Sequence, residues 1–308
     1  MKLPRVLRIS RPRFWIYELG PYMIWILWAI FVLNNFGCPQ CSNSLGLGTL
    51  ALRDNIIRVL LFGLYFLIPA NIRIYGINDI YDYETDKLNP KKVEWYEALV
   101  TPKEQKHLWK RILLTTIPFA VILLYHGTRI WSVSRGMILA FIAFLFFSGQ
   151  YSAKPIRAKA RPVLDSFFSA WHYIATAVFG YLLINPTWDI NRYYVIAGMA
   201  RAMAMHAFSA VPDIQADKDA KLETIATMLW GKATIRVCFG LYLLAAILSY
   251  SFLGWVSMLL GIVYCWLMIW GITLYGNDKK VFALYKRFPW VNTVSGMVLF
   301  FVLLLKII

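Results

Sequence analysis

Long apolar runs dominate the chain: Trp15–Leu33, Ile56–Ile72 and Trp290–Leu305 each carry at most one charged residue. A helix needs roughly 20 such residues to cross the hydrocarbon core of a bilayer, and an open sheet edge cannot exist there. The pattern predicts nine membrane-crossing helices, roughly at 14–33, 56–78, 112–126, 136–151, 164–184, 193–212, 235–253, 255–275 and 289–306. The expected fold class is therefore an all-α integral membrane protein. The first run is long and no small-residue cleavage site follows it, so no cleavable signal peptide is apparent. No Pro/Gly/Ser linker interrupts the chain, and a single domain over 1–308 is expected. The longest polar segment, Asp79–Arg111, contains Thr101-Pro-x-Glu104, a helix-start pattern that suggests a short cytoplasmic helical cap.

Composition agrees with the pattern. Of 308 residues, 59% are hydrophobic and only 16% charged, against about 25% charged in soluble domains. The net charge of +16 would raise nucleic acid as a partner in a soluble protein. Its placement removes that reading. With Arg236 counted in the sixth loop, 24 of the 32 Lys and Arg lie on the N-terminal arm and the even-numbered loops, and five on the odd loops and C-terminus. That bias puts the N-terminus and even loops in the cytoplasm, most simply of a bacterial cell membrane. Anionic lipid helps hold the charge there, and no nucleic-acid partner is expected. Cys38 and Cys41 form a C-x-x-C in the outward first loop. A disulfide and two unremarkable loop residues are both open readings, and a zinc site lacks a second ligand pair.

The candidate chemistry sits where the second span ends. Asn78, Asp82 and Asp86 follow one another at intervals of four, which on a helix stacks them on one face, ~6 Å apart per step. Stacked oxygens suit a hard cation, and Mg²⁺ takes one or two carboxylates plus substrate phosphate oxygens. A diphosphate held this way has its leaving-group charge neutralised, so an allylic C–O bond can ionise. Arg73 and Lys87 are placed to meet the same oxyanions. A merely solvated helix end is the plainer explanation. Against it, charge beside a span is costly and usually functional, and the pattern repeats.

The repeat closes the sixth span: Ser209, Asp213 and Asp217 again step by four, followed by Lys218. Two matched helix ends read as halves of an internal duplication that holds Mg²⁺ and a diphosphate. A third segment follows the fourth span, Tyr151-Ser-Ala-Lys154-Pro-Ile-Arg157-Ala-Lys159-Ala-Arg161-Pro. Lys154 and Arg157 are its candidates for phosphate contact, although the positive-inside rule alone accounts for the same charges.

Asn78-Asp-x-x-Asp82-x-x-x-Asp86 together with Asp213-x-x-x-Asp217 resembles the signature of the UbiA superfamily of intramembrane prenyltransferases. The resemblance covers nearly the whole chain, because that fold also has nine helices with paired motifs after the second and sixth. It implies a prenyltransferase in which Asn78, Asp82, Asp86, Asp213 and Asp217 bind Mg²⁺–diphosphate, met by Arg73 and the basic segment. Ile9–Tyr17, Tyr151–Pro162 and Ala207–Asp217 are similar to the lycopene elongase branch, which attaches dimethylallyl units to an acyclic carotenoid. That branch has proline where Lys154 stands and arginine where Asp219 stands, so donor preference is the property in question. The implied partners are dimethylallyl diphosphate, lycopene and the bilayer.

Mechanistically, aromatic faces stabilise an allylic cation in a water-poor cavity. Tyr75, Tyr81 and Tyr151 lie nearest the motifs, while most of the 20 Phe, 18 Tyr and 13 Trp are core or belt residues. His206 could take a proton, though a lone histidine near a helix end is more often structural. Two other readings compete. One is prenyl transfer to an aromatic ring or a glycerol ether lipid. The other is a transporter, disfavoured because both acidic clusters end spans instead of lying at mid-membrane.

Overall fold

The computed structural model describes residues 4–36, 47–83, 99–129, 134–188 and 190–308. Among them the regular structure is helical, with no strand. The helices are α1 (Arg5–Ile9), α2 (Trp15–Phe36), α3 (Leu47–Leu67), α4 (Pro69–Tyr81), α5 (Pro102–Arg129), α6 (Ser134–Gln150) and α7 (Leu164–Ile184). They continue with α8 (Arg192–Ala210), α9 (Ile214–Asp219), α10 (Ile225–Leu229), α11 (Gly231–Leu253), α12 (Trp255–Leu274), α13 (Asp278–Tyr285) and α14 (Phe288–Ile307). Among the described residues eight helical stretches are long and apolar enough to cross a membrane, and α6 is a shorter apolar helix in the expected place. This is a multi-pass membrane protein.

The expected second span is built from two helices. Pro69 has no N–H to continue the ladder, and the backbone breaks at Ile68 (φ −118°, ψ −62°). The Asn71 side chain repairs the break, donating its amide to the Phe66 and Leu67 carbonyl oxygens at 3.1 and 3.0 Å. The helix start at Thr101 also forms: Glu104 Oε2 accepts from the Thr101 N–H at 3.0 Å and from its hydroxyl at 2.7 Å. That helix runs on through Arg129 as the third span and does not stop as a separate cap. The rest of the expected cap, 84–98, lies outside the described residues, as do Cys38 and Cys41.

The chain divides into two compact units. One comprises Met1–Ala153, Ala175–Trp188 and Gly296–Ile308, the other Lys154–Ile174 and Asp189–Ser295. In a bilayer, lipid tails are as apolar as leucine, so helices associate through close packing and satisfied polar groups. The first unit packs an aromatic core of Tyr22, Phe62, Tyr65, Phe66, Phe144 and Phe179, all buried, with Phe62 and Phe179 centroids 4.8 Å apart. Gly180 lets α7 touch α2: a Cβ there would stand 2.5 Å from the Tyr22 carbonyl oxygen.

The second unit uses small residues. Ala197, Ala200, Ala204 and Ala207 are buried along α8, which packs chiefly on α11. Arg201, a cation within this span, donates to the Tyr264 hydroxyl at 2.7 Å, and that hydroxyl donates to Asn292 Oδ1 at 2.7 Å.

Candidate active site

In the first unit the motif closes α4. The Asp82 N–H donates to the Asn78 carbonyl oxygen at 3.0 Å, completing the last turn, and Asp82 itself leaves the helix at φ −107°, ψ 8°. The Asn78 amide nitrogen donates to Ser152 Oγ at 3.2 Å, which turns Asn78 Oδ1 away as the acceptor. Ser152 is buried in the turn after α6. Asp86 and Lys87 lie outside the described residues.

Asp79 has a different task from its neighbours. It is buried and accepts from Arg11 at 3.0 Å, and the Arg11 guanidinium lies 4.6 Å from the Tyr75 ring centroid. The N-terminal Ser10-Arg-Pro-Arg-Phe stretch thereby straps the C-terminal turn of α4. Phe14 stands 5.8 Å from Tyr75, so Tyr75 is in an aromatic and cationic surround. Arg73, expected at the diphosphate, donates Nη2 to the Leu145 carbonyl oxygen of α6 at 2.9 Å. Tyr81 is exposed and Tyr151 half-buried.

The second unit reaches its motif differently. The expected continuous helical face over 209–217 does not form. Pro212 lacks an N–H and crowds the preceding turn, so α8 ends at Ala210 and a tight turn, Val211–Asp213, precedes α9. Asp213 ends that turn and precedes α9, at φ −98°, ψ 1°. Ser209 turns its hydroxyl back to the His206 carbonyl oxygen at 2.6 Å.

Asp217, in the short helix past the end of the crossing helix, is half-buried. Burial pushes its carboxyl up to about 6, the Asp213 carboxylate and more weakly Asp165 add to the push, and the Thr224 hydroxyl and Lys159 oppose it. Two carboxylates that disfavour each other's charge are what a divalent cation relieves. Lys218 sits 4.2 Å from the Trp230 ring centroid. Asp219 accepts from Gln215 at 2.9 Å. In the basic segment Lys154 is exposed, and Arg157 adopts the left-handed region at φ 45°, uncommon for a non-glycine residue.

Among the described residues no three His, Cys, Asp or Glu side chains are grouped to hold a metal by themselves. The donor set still fits Mg²⁺, which takes few protein carboxylates and completes its octahedron with water and phosphate oxygens. Taken unit by unit, the oriented Asn78 oxygen of the first and the mutually repelling Asp213 and Asp217 of the second are candidate donors of that kind. Sequence reasoning missed Arg11, Asp165 and Thr224. Arg11 was absorbed by the charge bias. Asp79 pointed to a partner in retrospect, since a residue adjacent to Asn78 faces about 100° away from it on a helix.

Apolar helices, two of them broken and followed by acidic residues, define a multi-pass membrane protein with polar residues at its helix ends. The model of the UbiA prenyltransferase family matches residues 44–285, and the chain belongs to that family. It is thus a prenyltransferase. Among relatives, the chain is 34% identical over 296 residues to the lycopene elongase/hydratase of Haloarcula japonica, covering 95% of this chain and 88% of that one. The lycopene elongase/hydratase of Halobacterium salinarum is 30% identical, with 94% and 93% covered.

Among solved structures, a UbiA homolog from Archaeoglobus fulgidus bound to DMAPP and Mg²⁺ superposes with a TM-score of 0.63 at 18% identity, covering 96% and 99%. The apo structure of a UbiA homolog from Aeropyrum pernix K1 gives 0.63 at 16%, covering 94% and 98%. These last two likenesses establish the fold.

Proposed function

We propose that this prenyltransferase transfers a dimethylallyl group from its diphosphate to an acyclic carotenoid such as lycopene, with Mg²⁺ at the aspartate clusters. The observation that carries the site assignment is the paired motif: Asp82 and Asp213 occupy matched sequence positions and share one uncommon backbone conformation at a helix break. The names of the relatives support the carotenoid acceptor.

The proposed metal ligands are Asn78, Asp82, Asp86, Asp213 and Asp217, with Arg73, Lys87, Lys154, Arg157 and Lys218 serving the diphosphate. Bound Mg²⁺ supplies positive charge to the departing diphosphate. The allylic C–O bond breaks with its electron pair leaving on the diphosphate oxygen. Tyr75, with Tyr81 and Tyr151, offers ring faces to the allylic cation. An acceptor double bond then forms the new C–C bond. The tertiary cation that results either loses a proton or takes a water oxygen, and the water then gives up its proton. The charge bias supports a cytoplasmic N-terminus and cytoplasmic motif ends.

The test is expression in a lycopene-accumulating bacterium with pigment analysis by chromatography and mass spectrometry. New C45 or C50 carotenoids, lost in Asp82→Ala, are expected. Unchanged lycopene in cells that contain the protein would move the acceptor to aromatic or ether-lipid substrates.

A further inference from the structure

Asp217 is held by more than its own helix. Its Oδ2 lies 3.3 Å from Thr224 Oγ1, seven residues on. The direction of that bond follows from the other partners. Thr224 Oγ1 accepts the Thr227 N–H at 3.3 Å, Thr227 Oγ1 accepts the Thr224 N–H at 2.8 Å, and the Thr227 hydroxyl donates to the Thr224 carbonyl oxygen at 3.0 Å. The Thr224 hydroxyl proton then has two acceptors in reach, the Thr227 hydroxyl at 3.5 Å and the Asp217 carboxylate at 3.3 Å, and the nearer, charged carboxylate is the stronger. Thr224 is itself fixed from behind. Asp165, 1% exposed in the first turn of α7, accepts the Ile225 N–H at 2.9 Å through Oδ2 and the Ser166 N–H at 2.7 Å through Oδ1. A buried acid thus anchors the start of α10, and the capping hydroxyl of α10 aims one oxygen of Asp217.

We propose that Thr224, braced by Asp165, is a positioning residue for the proposed metal ligand Asp217, setting which carboxylate oxygen is left to the cation. The inference rests on the ligand reading of Asp217. Outer hydrogen bonds of this kind orient ligating carboxylates, and losing one costs on the order of tenfold in metal affinity. Thr224 acts through Asp217, so its loss should act on metal saturation and not on the chemistry at saturation.

The experiment uses the full-length protein in detergent. Mn²⁺ binding is followed by electron paramagnetic resonance with inorganic pyrophosphate present, and the Mg²⁺ dependence of turnover is measured in parallel. Thr224→Val should weaken Mn²⁺ binding on the order of tenfold and raise the Mg²⁺ half-saturation by a similar factor, with kcat at saturating Mg²⁺ changed much less. Thr224→Ser, which keeps the hydroxyl, should restore both. Asp165→Asn should follow Thr224→Val, and because it can also unfold the loop, the Val and Ser pair decides. Wild-type Mn²⁺ and Mg²⁺ behaviour in Thr224→Val, with Asp217→Ala strongly impaired, overturns the positioning role and leaves the ligand reading intact. Wild-type Mn²⁺ binding in Asp217→Ala overturns both.

Discussion

Asn78–Asp86 and Ser209–Asp217 each carry a short polar residue and two aspartates at intervals of four, and their middle aspartates reach the same backbone conformation. Their supports differ. The first is fixed beside its proposed ligands: Asp79, adjacent to Asn78, forms the Arg11 ion pair. At the matching position of the second stands Ala210, and no such anchor is possible there. The second is fixed through a proposed ligand, because the Thr224 hydroxyl bonds Asp217 itself. A ligand that shares its charge with an anchor depends on a loop downstream, whereas a ligand beside an anchored neighbour depends on the N-terminal arm. The comparison teaches that a duplicated motif can preserve its chemistry-bearing positions while each copy recruits its own scaffold.

The harshest way to break the equivalence is to remove its shared centre. Asp82→Ala and Asp213→Ala should each lower turnover by on the order of 10²- to 10³-fold, the range for losing a preorganised charge-stabilising group. Both proteins should remain recoverable, folded, from membranes. Full activity in either variant would show that the two ends are not functional counterparts.

The supports are separable by stability. Arg11→Ala breaks the ion pair of the buried Asp79 carboxylate, a loss that costs about 3 kcal/mol. Thermal unfolding in detergent should show a clear fall in Tm, largely recovered when Asp79 is also replaced by Leu. Thr224→Val removes one neutral donor at a half-buried carboxylate together with the capping acceptor of α10, and should cost about 1–2 kcal/mol, less than the loss of the buried ion pair. Equal losses in the two variants would erase the distinction between an anchored neighbour and an anchored ligand.

How far these features could be read beforehand depends on what periodicity encodes. It reports which stretches suit lipid, so the fifth span was expected at 164–184 and α7 covers those residues. It reports less well where polar residues continue a helix. Arg53 and Asp54 belong to α3 and Pro102–Arg111 to α5, because a helix continues past the apolar stretch into water, as the capped start at Thr101 allows. The motif residues were legible from spacing, but spacing assumed an unbroken helix that Pro212 and the chain at Asp82 do not permit. Partners were not legible at all. Nothing local links Arg11 to Asp79, 68 residues away, or Asp165 to Ile225, 60 residues away, since such pairs exist only after the helices pack.

The finest difference between the two ends lies in how a ligand oxygen is oriented, and Ser152 tests it. In the first unit the oriented group is an amide, whose two ends are chemically unlike. Donation from the Asn78 nitrogen to Ser152 Oγ decides that the oxygen, not the nitrogen, is the end left to a cation. Without the hydroxyl, the amide is free to present either end. The loss is bounded below by a twofold orientational term and above by one net hydrogen bond, about 1 kcal/mol or roughly fivefold. Ser152→Ala should therefore raise the Mg²⁺ half-saturation of turnover by about two- to fivefold. The effect should disappear in an Asn78→Asp background, because a carboxylate presents oxygen at either end. A Ser152→Ala effect that persists undiminished in that background would mean the hydroxyl supports the turn after α6 and does not orient Asn78.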